Sequence, residues 1–265
     1  MEEEKQIVGL IKQTPQILSS VYVDLAQPSV RKVGQALETV FEFSTSILLP
    51  LKLLNEKFKI NFQRNLNDYR KKIENIPEEK LCDVNPQIGT PIVEKLTYTT
   101  NEEIADLFTT LLSKASSIDT LNQAHPSFVQ LIERLSVDEA RLIKYLNGKS
   151  FIPSISFRGT PITGEGFIEL RKNATLLPYE VDFIFPNNVL TYIDNLESMG
   201  ILDTKHGNYK TDEAFYKPIL EKYNYETRRK DAVEKGTYKD IEYDKSYLQI
   251  TEFGKSFIVA CTMSS

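Results

Sequence analysis

Two cysteines, two histidines and no apolar run long enough to span a bilayer set the first limits on this 265-residue chain. Cys82 and Cys261 lie far apart, which argues against a disulfide framework and makes a reducing cytosol the expected setting. Cys82 has no base near it in sequence, and Cys261 follows an apolar helical face where a small buried thiol needs no chemistry. His125 and His206 stand at no ligand spacing to each other or to a cysteine. The richest apolar run, residues 47–54, is interrupted by Pro50 and Lys52 and falls well short of the ~20 residues a spanning helix needs. The N-terminus reads Met1-Glu2-Glu3-Glu4, acidic where a signal peptide starts basic, and the next apolar run is broken by Lys12 and Pro15. Gly159, Gly164 and Gly166 lack the Gly-Lys-Ser/Thr ending of a phosphate loop. No residue set identifies a reaction, a metal or a cofactor, and no small-molecule substrate is evident.

What is present is charge segregation and helical periodicity. The composition, 41% hydrophobic and 26% charged, is that of a globular protein with a formal charge of -5. Residues 28–73 carry Arg31, Lys32, Lys52, Lys57, Lys59, Arg64, Arg70, Lys71 and Lys72 against Glu38, Glu42, Glu56 and Asp68, so this stretch is +5 and the remainder -10. The same stretch has the longest apolar stripe in the chain. Val33, Leu37, Val40, Phe58, Phe62, Leu66, Tyr69 and Ile73 recur at steps of three or four, which keeps them on one helical face. Pro50 is its breaker, so residues 29–76 read as two helices or one kinked helix. Such a face needs partner surfaces from the rest of the chain.

Those surfaces are foreseeable. Residues 5–26 read as a short helix, a break near Pro15 and a further turn or two. Asn85-Pro86 begins an apolar segment whose first half Gly89 and Pro91 are expected to make irregular. Thr100-Asn101-Glu102-Glu103 has the form of a capping box ahead of Ile104, Leu107, Phe108, Leu111, Leu112 and Ala115. His125-Pro126-Ser127 opens a helix with Phe128, Val129, Leu131 and Ile132, and Ser136-Val137-Asp138-Glu139 repeats the capping pattern before Leu142, Ile143 and Leu146. In this reading Glu102 and Glu103 favour a helix dipole and have no catalytic role.

After Gly148 the pattern changes. Residues 151–157 read as a short strand, placed at a sheet edge by Pro153, and Gly159 to Gly166 as a loop. A helix from Pro186 carries Val189, Leu190, Ile193, Leu196 and Met199 and closes at Gly200. Ile201-Leu202 and residues 247–250 read as strands, with a polar insertion between them that is helical over roughly 213–233, and Thr251 caps a last helix. The order is that of a winged helix. The expected fold is therefore mainly α: a helical domain over 1–147 holding the long kinked helix 29–76, then a winged-helix-like α+β domain over 148–265 with a long wing insertion, the helix at 136–147 being shared.

A winged helix that reads DNA needs donors on its second helix, yet no Lys or Arg occurs from Pro186 to Asp203. An acidic helix would be repelled by phosphate, so DNA is not the expected partner of helix 186–199, and a DNA-binding regulator stays as an alternative. Arg228, Arg229 and Lys230 are surrounded by Asp231, Glu234, Asp240, Glu242 and Asp244, which reads as a solvated charged helix. A toxin nuclease with a carboxylate site invisible in one sequence is a further alternative. The nine cations of residues 28–73 form the candidate interaction surface, for a protein partner, self-association or anionic headgroups; the competing reading is a core helix pair with a solvated basic face.

With these residues in view, the chain resembles the Abi-alpha (abortive-infection alpha) family of bacterial proteins. The resemblance is carried by Pro91-Ile92-Val93-Glu94-Lys95-Leu96, by the helix from Asn101 to Leu112, by His125-Pro126-Ser127-Phe128-Val129 leading to Leu135-Ser136-Val137-Asp138-Glu139, by Asn195-Leu196 with Gly200-Ile201, and by residues 248–254. Together they span about residues 30 to 261. The resemblance implies a cytoplasmic phage-defence role, peripheral to the inner membrane face if lipid is the partner, and brings no catalytic residue. His125 and Pro126 are expected to form a structural hinge.

Overall fold

In the computed structural model the described residues are 31–44 and 55–263, with no account of the side chains of Arg31 and of residues 41–44. The expectations for residues 5–26, the Pro50 break and Lys52 lie outside the described residues. The structure is mainly helical, with a four-stranded antiparallel sheet towards the C-terminus. It separates into two compact units, one holding the described residues up to Ala140 together with those from Ile258 onward, the other Arg141–Phe257.

The first unit is built from α1 (Arg31–Ser44), α2 (Glu56–Ile73), α3 (Pro86–Leu96), α4 (Glu102–Ala115) and α5 (Pro126–Glu133), with α6 (Val137–Leu146) crossing into the second. The apolar stripe is core: Val33, Leu37 and Val40 of α1 and Phe62, Leu66, Tyr69 and Ile73 of α2 are buried. Each side chain of this size withdrawn from water contributes about 1.5–3 kcal/mol. α3 is a regular helix through both Gly89 and Pro91, contrary to the irregular half expected from them. Pro91, inside the helix, forfeits one amide, while Ile88, Ile92, Val93 and Leu96 bury a continuous face that offsets the loss.

Helix entries are set locally. For α4 the cap is Asn101 rather than Thr100: Asn101 Oδ1 accepts from Glu103 N at 2.9 Å and Ile104 N at 3.2 Å. Asn101, extended and directly before the first helical residue, is where a side-chain oxygen reaches the orphan amides. The Ser136 capping box forms in full, Ser136 N donating to Glu139 Oε2 at 2.6 Å and Glu139 N to Ser136 Oγ at 3.3 Å.

The second unit contains β1 (Phe151–Thr160), β2 (Ile168–Ala174), a single turn α7 (Leu177–Glu180), α8 (Val189–Ser198), β3 (Leu202–Thr204), α9 (Lys217–Lys222), α10 (Tyr225–Glu234) and β4 (Asp240–Ile250). α11 (Glu252–Cys261) follows, and its last turn belongs to the first unit. The sheet order is β2-β1-β4-β3. β1 is thus an inner strand and runs on through Gly159, where a loop was expected. Pro153 is tolerated because β2 pairs only with residues 155–159, leaving the first half of β1 a neighbour on one side alone. β2 follows the expected Gly loop where no strand was foreseen, and β4 begins at Asp240, seven residues before the strand foreseen.

The exit of α8 matches expectation. Gly200, at φ +73°, lets Ile201 N reach Leu196 O at 2.9 Å and Gly200 N reach Glu197 O at 2.8 Å, the paired bonds that close a helix onto a left-handed residue. The polar insertion does more than extend a wing. Tyr216, Ile219, Tyr223 and Tyr225 pack with Ile155, Phe157, Ala174 and Ile241, so α9 and α10 cover one face of the sheet. Tyr223 and Tyr225 donate their hydroxyls to Thr175 O (3.1 Å) and Ile241 O (2.9 Å), which satisfies the polar ends of rings that are otherwise buried.

Candidate functional site

The cations of the long stripe do not share one role. Lys72 is bound inside the helical unit. Its side chain is 9% exposed, and Nζ pairs with Asp68, with Asp106 Oδ1 at 2.7 Å and with Thr109 Oγ1 at 2.7 Å, tying α2 to α4. Arg64 donates from Nη2 to the carbonyls of Thr99 (3.1 Å) and Thr100 (3.0 Å), beyond the end of α3. Its neighbour Asn65, 2% exposed, donates to Leu96 O at 2.8 Å and Thr99 O at 2.9 Å. Lys32 of α1 closes the C-terminal end of α2 by donating to Glu74 O at 2.9 Å and Ile76 O. These three cations satisfy orphan carbonyls or a polar knot between helices. Arg70 is half-buried, with Nε lacking a partner among the described residues. Lys59 is half-exposed, and Lys57 and Lys71 stand in solvent with Ile60, which is 63% exposed. Lys57, Arg64 and Lys71 recur every seven residues, so they share one side of α2.

His125 is the N-cap of α5. Its Nδ1 accepts from Ser127 N at 3.2 Å and lies 2.7 Å from Ser127 Oγ, and its ring packs 5.6 Å from that of Phe128. Pro126 occupies the first helical position, where its missing amide would have been unsatisfied anyway. His206 lies apart, in the loop after β3. Among the described residues no three His, Cys, Asp or Glu side chains gather as a metal site, and no helix is long and apolar enough to cross a membrane.

The second unit holds a groove of about 690 Å³ on the face of the sheet that α9 and α10 leave open. Ser156 and Arg158 of β1 and Asp244 and Ser246 of β4 alternate with the core residues Ile155 and Phe157, so their side chains point away from that core. In register, Ser154 faces Ser246, Ser156 faces Asp244 and Arg158 faces Glu242. One flank is formed by Phe167, Glu169 and Lys172 on and before β2, the other by His206, Gly207 and Tyr209 after β3. Arg158 is held in place: Nη2 reaches Asp244 Oδ1 at 2.6 Å, and the guanidinium lies 4.7 Å over the Phe167 ring. Lys245, at the rim, is raised in pKa chiefly by its bond to Glu213 and also lies near the rings of Tyr209 and Tyr216.

None of these groove residues was singled out for function from the sequence except His206, weighed as a metal ligand. The signal was present as alternation: Ser154, Ser156 and Arg158 interleave with Ile155 and Phe157. It became visible only once β4 was known to extend back to Asp240.

Comparison with known proteins now decides the family. The model of the family described as "Abortive infection alpha" matches residues 61–261. The chain belongs to the abortive infection alpha family. The match takes in α2 from its second turn, all of α3 to α6 and the whole sheet, so both units carry the family's pattern. No curated protein matches the chain. A solved structure of an uncharacterized protein from the hydrocarbon-degrading marine bacterium Alcanivorax borkumensis SK2 is 14% identical, covering 55% of this chain and 97% of its own, at a TM-score of 0.33, a likeness too slight to bear on the fold.

Proposed function

We propose that this member of the abortive infection alpha family is a cytoplasmic phage-defence protein that works by presenting surfaces, with the outer side of α2 as the contact region. Family membership supports the defence role. The observation carrying the mode of action is that Lys57, Lys71 and the exposed Ile60 remain in solvent on a helix where Arg64 and Lys72 serve the fold. A helix seated in a headgroup boundary needs a broad apolar face as well as cations, and Ile60 is the one large apolar side chain exposed on described α2. A protein partner with an acidic patch, or a second copy of the chain, therefore fits this surface better than an anionic bilayer.

In the same reading, α6, β1, α7, α8, β3 and β4 form a winged helix, with β2 added to its edge and α9–α10 inserted in its wing. Support comes from the order β1-β4-β3 within the sheet and from two helical segments ahead of β3. The wing module is assigned a structural or protein-contact role, since α8 carries no Lys or Arg.

The test is plating. Cells carrying the protein are challenged with a phage panel beside cells carrying Lys57→Glu/Lys71→Glu. We expect wild type to lower plating of some phages and the double variant to lose that effect while melting normally. Wild-type protein without effect on any phage removes the defence role; a fully protective double variant removes the α2 surface. Co-sedimentation with anionic liposomes that the double variant abolishes would assign the surface to lipid instead.

A further inference from the structure

Three buried polar atoms in or beside the sheet groove have no hydrogen-bond partner among the described residues: Arg158 Nε, Ser154 Oγ and Asn173 Oδ1. Ser154 and Asn173 are 0% and 2% exposed. Ser154 lies one rung deeper than Ser156 on the same side of β1, and Asn173 holds Ser156 from the β2 side by donating its amide to Ser156 Oγ at 3.2 Å. Asn173 also adopts φ +47°, a left-handed conformation that a non-glycine residue rarely takes. Of the three, Arg158 Nε belongs to the lining itself, while Ser154 and Asn173 lie behind it; a buried polar atom left unsatisfied is costly to a fold and calls for an explanation, which a ligand in the cleft supplies for Arg158.

The lining specifies what that ligand is. Arg158 and Lys172 face the cleft with Glu169 and Asp244, two cations against two carboxylates, while Lys245, opposite Ile155 in register, is taken up at the rim by Glu213. Arg158 is prealigned by Asp244 and by the Phe167 ring, so its fork is fixed before anything binds. Phe167 and Tyr209, 60% and 57% exposed, stand on opposite flanks and offer aromatic planes. Carboxylates beside cations suit a molecule that has an anionic end and an N–H-bearing planar end. The volume, about 690 Å³, falls among small-molecule sites.

We infer that the groove on the open face of β2-β1-β4 binds a nucleoside monophosphate. Arg158 and Lys172 hold the phosphate, Phe167 or Tyr209 stacks with the base, and Glu169 accepts from the base amino or imino group. A single-stranded nucleic acid fits less well. Its repeating phosphates would meet Glu169, Glu242, Asp240 and Asp244 along the same strands, where like charge is repelled. This site is independent of the α2 surface.

The test is calorimetric titration of the full chain with AMP, GMP, CMP and UMP, with inorganic phosphate, and with a short oligothymidylate. At least one monophosphate is expected to saturate at one site per chain. Lys172→Glu and Phe167→Ala alter exposed side chains, so they should keep the wild-type melting midpoint while weakening that binding about tenfold or more. Absence of heat with all four nucleotides at millimolar concentration overturns the inference. So does inorganic phosphate binding as tightly as the nucleotide, oligothymidylate binding more tightly than it, or either variant binding like wild type.

Discussion

Asn65→Ala is the substitution that most directly probes how α2 is anchored. Asn65 is buried at 2% exposure, and its amide satisfies two carbonyls at the end of α3, Leu96 O and Thr99 O. Truncation removes two hydrogen bonds worth about 1 kcal/mol each and leaves a buried carbonyl without its partner, which adds about 1–3 kcal/mol. The expected loss is about 3–5 kcal/mol, or on the order of 20 °C in melting midpoint for a unit of roughly 100 residues. Urea titration followed by circular dichroism at the helical band reads it, with the m-value checked for change. Asn65→Asp sharpens the test, because it keeps the volume and the acceptor facing Arg64 yet places an oxygen opposite two carbonyl oxygens. It should destabilise at least as much as alanine. Were Asn65→Asp within about 0.5 kcal/mol of wild type, the donor role assigned to Asn65 would be wrong.

Three further outcomes follow from the geometry. In Gly254→Ala the new Cβ would stand 2.3 Å from Ile201 O and 3.0 Å from Ile201 Cα, backbone that cannot turn aside, so despite alanine's better helix propensity the variant should lose about 2 kcal/mol in urea titration. Ser136→Ala removes the reciprocal cap of α6 and should cost about 1 kcal/mol, with early exchange of the Glu139 amide by hydrogen–deuterium mass spectrometry; an unchanged exchange rate would refute the capping box as a stabilising element. Burial, and then the charge of Asp83, raises the Cys82 thiol pKa, while full burial raises that of Cys261 well above its ordinary value. Alkylation of native protein should therefore modify Cys82 alone, at a rate still rising with pH above the usual thiol midpoint of about 8.5, whereas Cys261 should react only after unfolding.

The sequence alone was enough for whatever depends on residues within a turn of one another. The stripe of α1 and α2, the Ser136 box, the Pro126 entry and the Gly200 exit are decided by side chains three or four positions apart, so periodicity and capping chemistry exposed them. Even there, Asn101 displaced Thr100 because a one-residue offset in the first helical amide is invisible where two good capping residues stand side by side. Tertiary structure decided what depends on distant partners. β2 is exposed along five of its seven residues, so it carries no in–out alternation, and only pairing with β1 makes it a strand. Lys32, Arg64 and Lys72 looked like one basic surface with Lys57 and Lys71, until carbonyls and carboxylates more than thirty residues away took them up. The groove belongs to the same class, since its floor joins Ser156 to Asp244, 88 positions further along the chain, a pairing that no local pattern encodes. Charge and hydroxyl groups acquire a role from what faces them, and in this chain what faces them was set by the packing of the sheet and the helices.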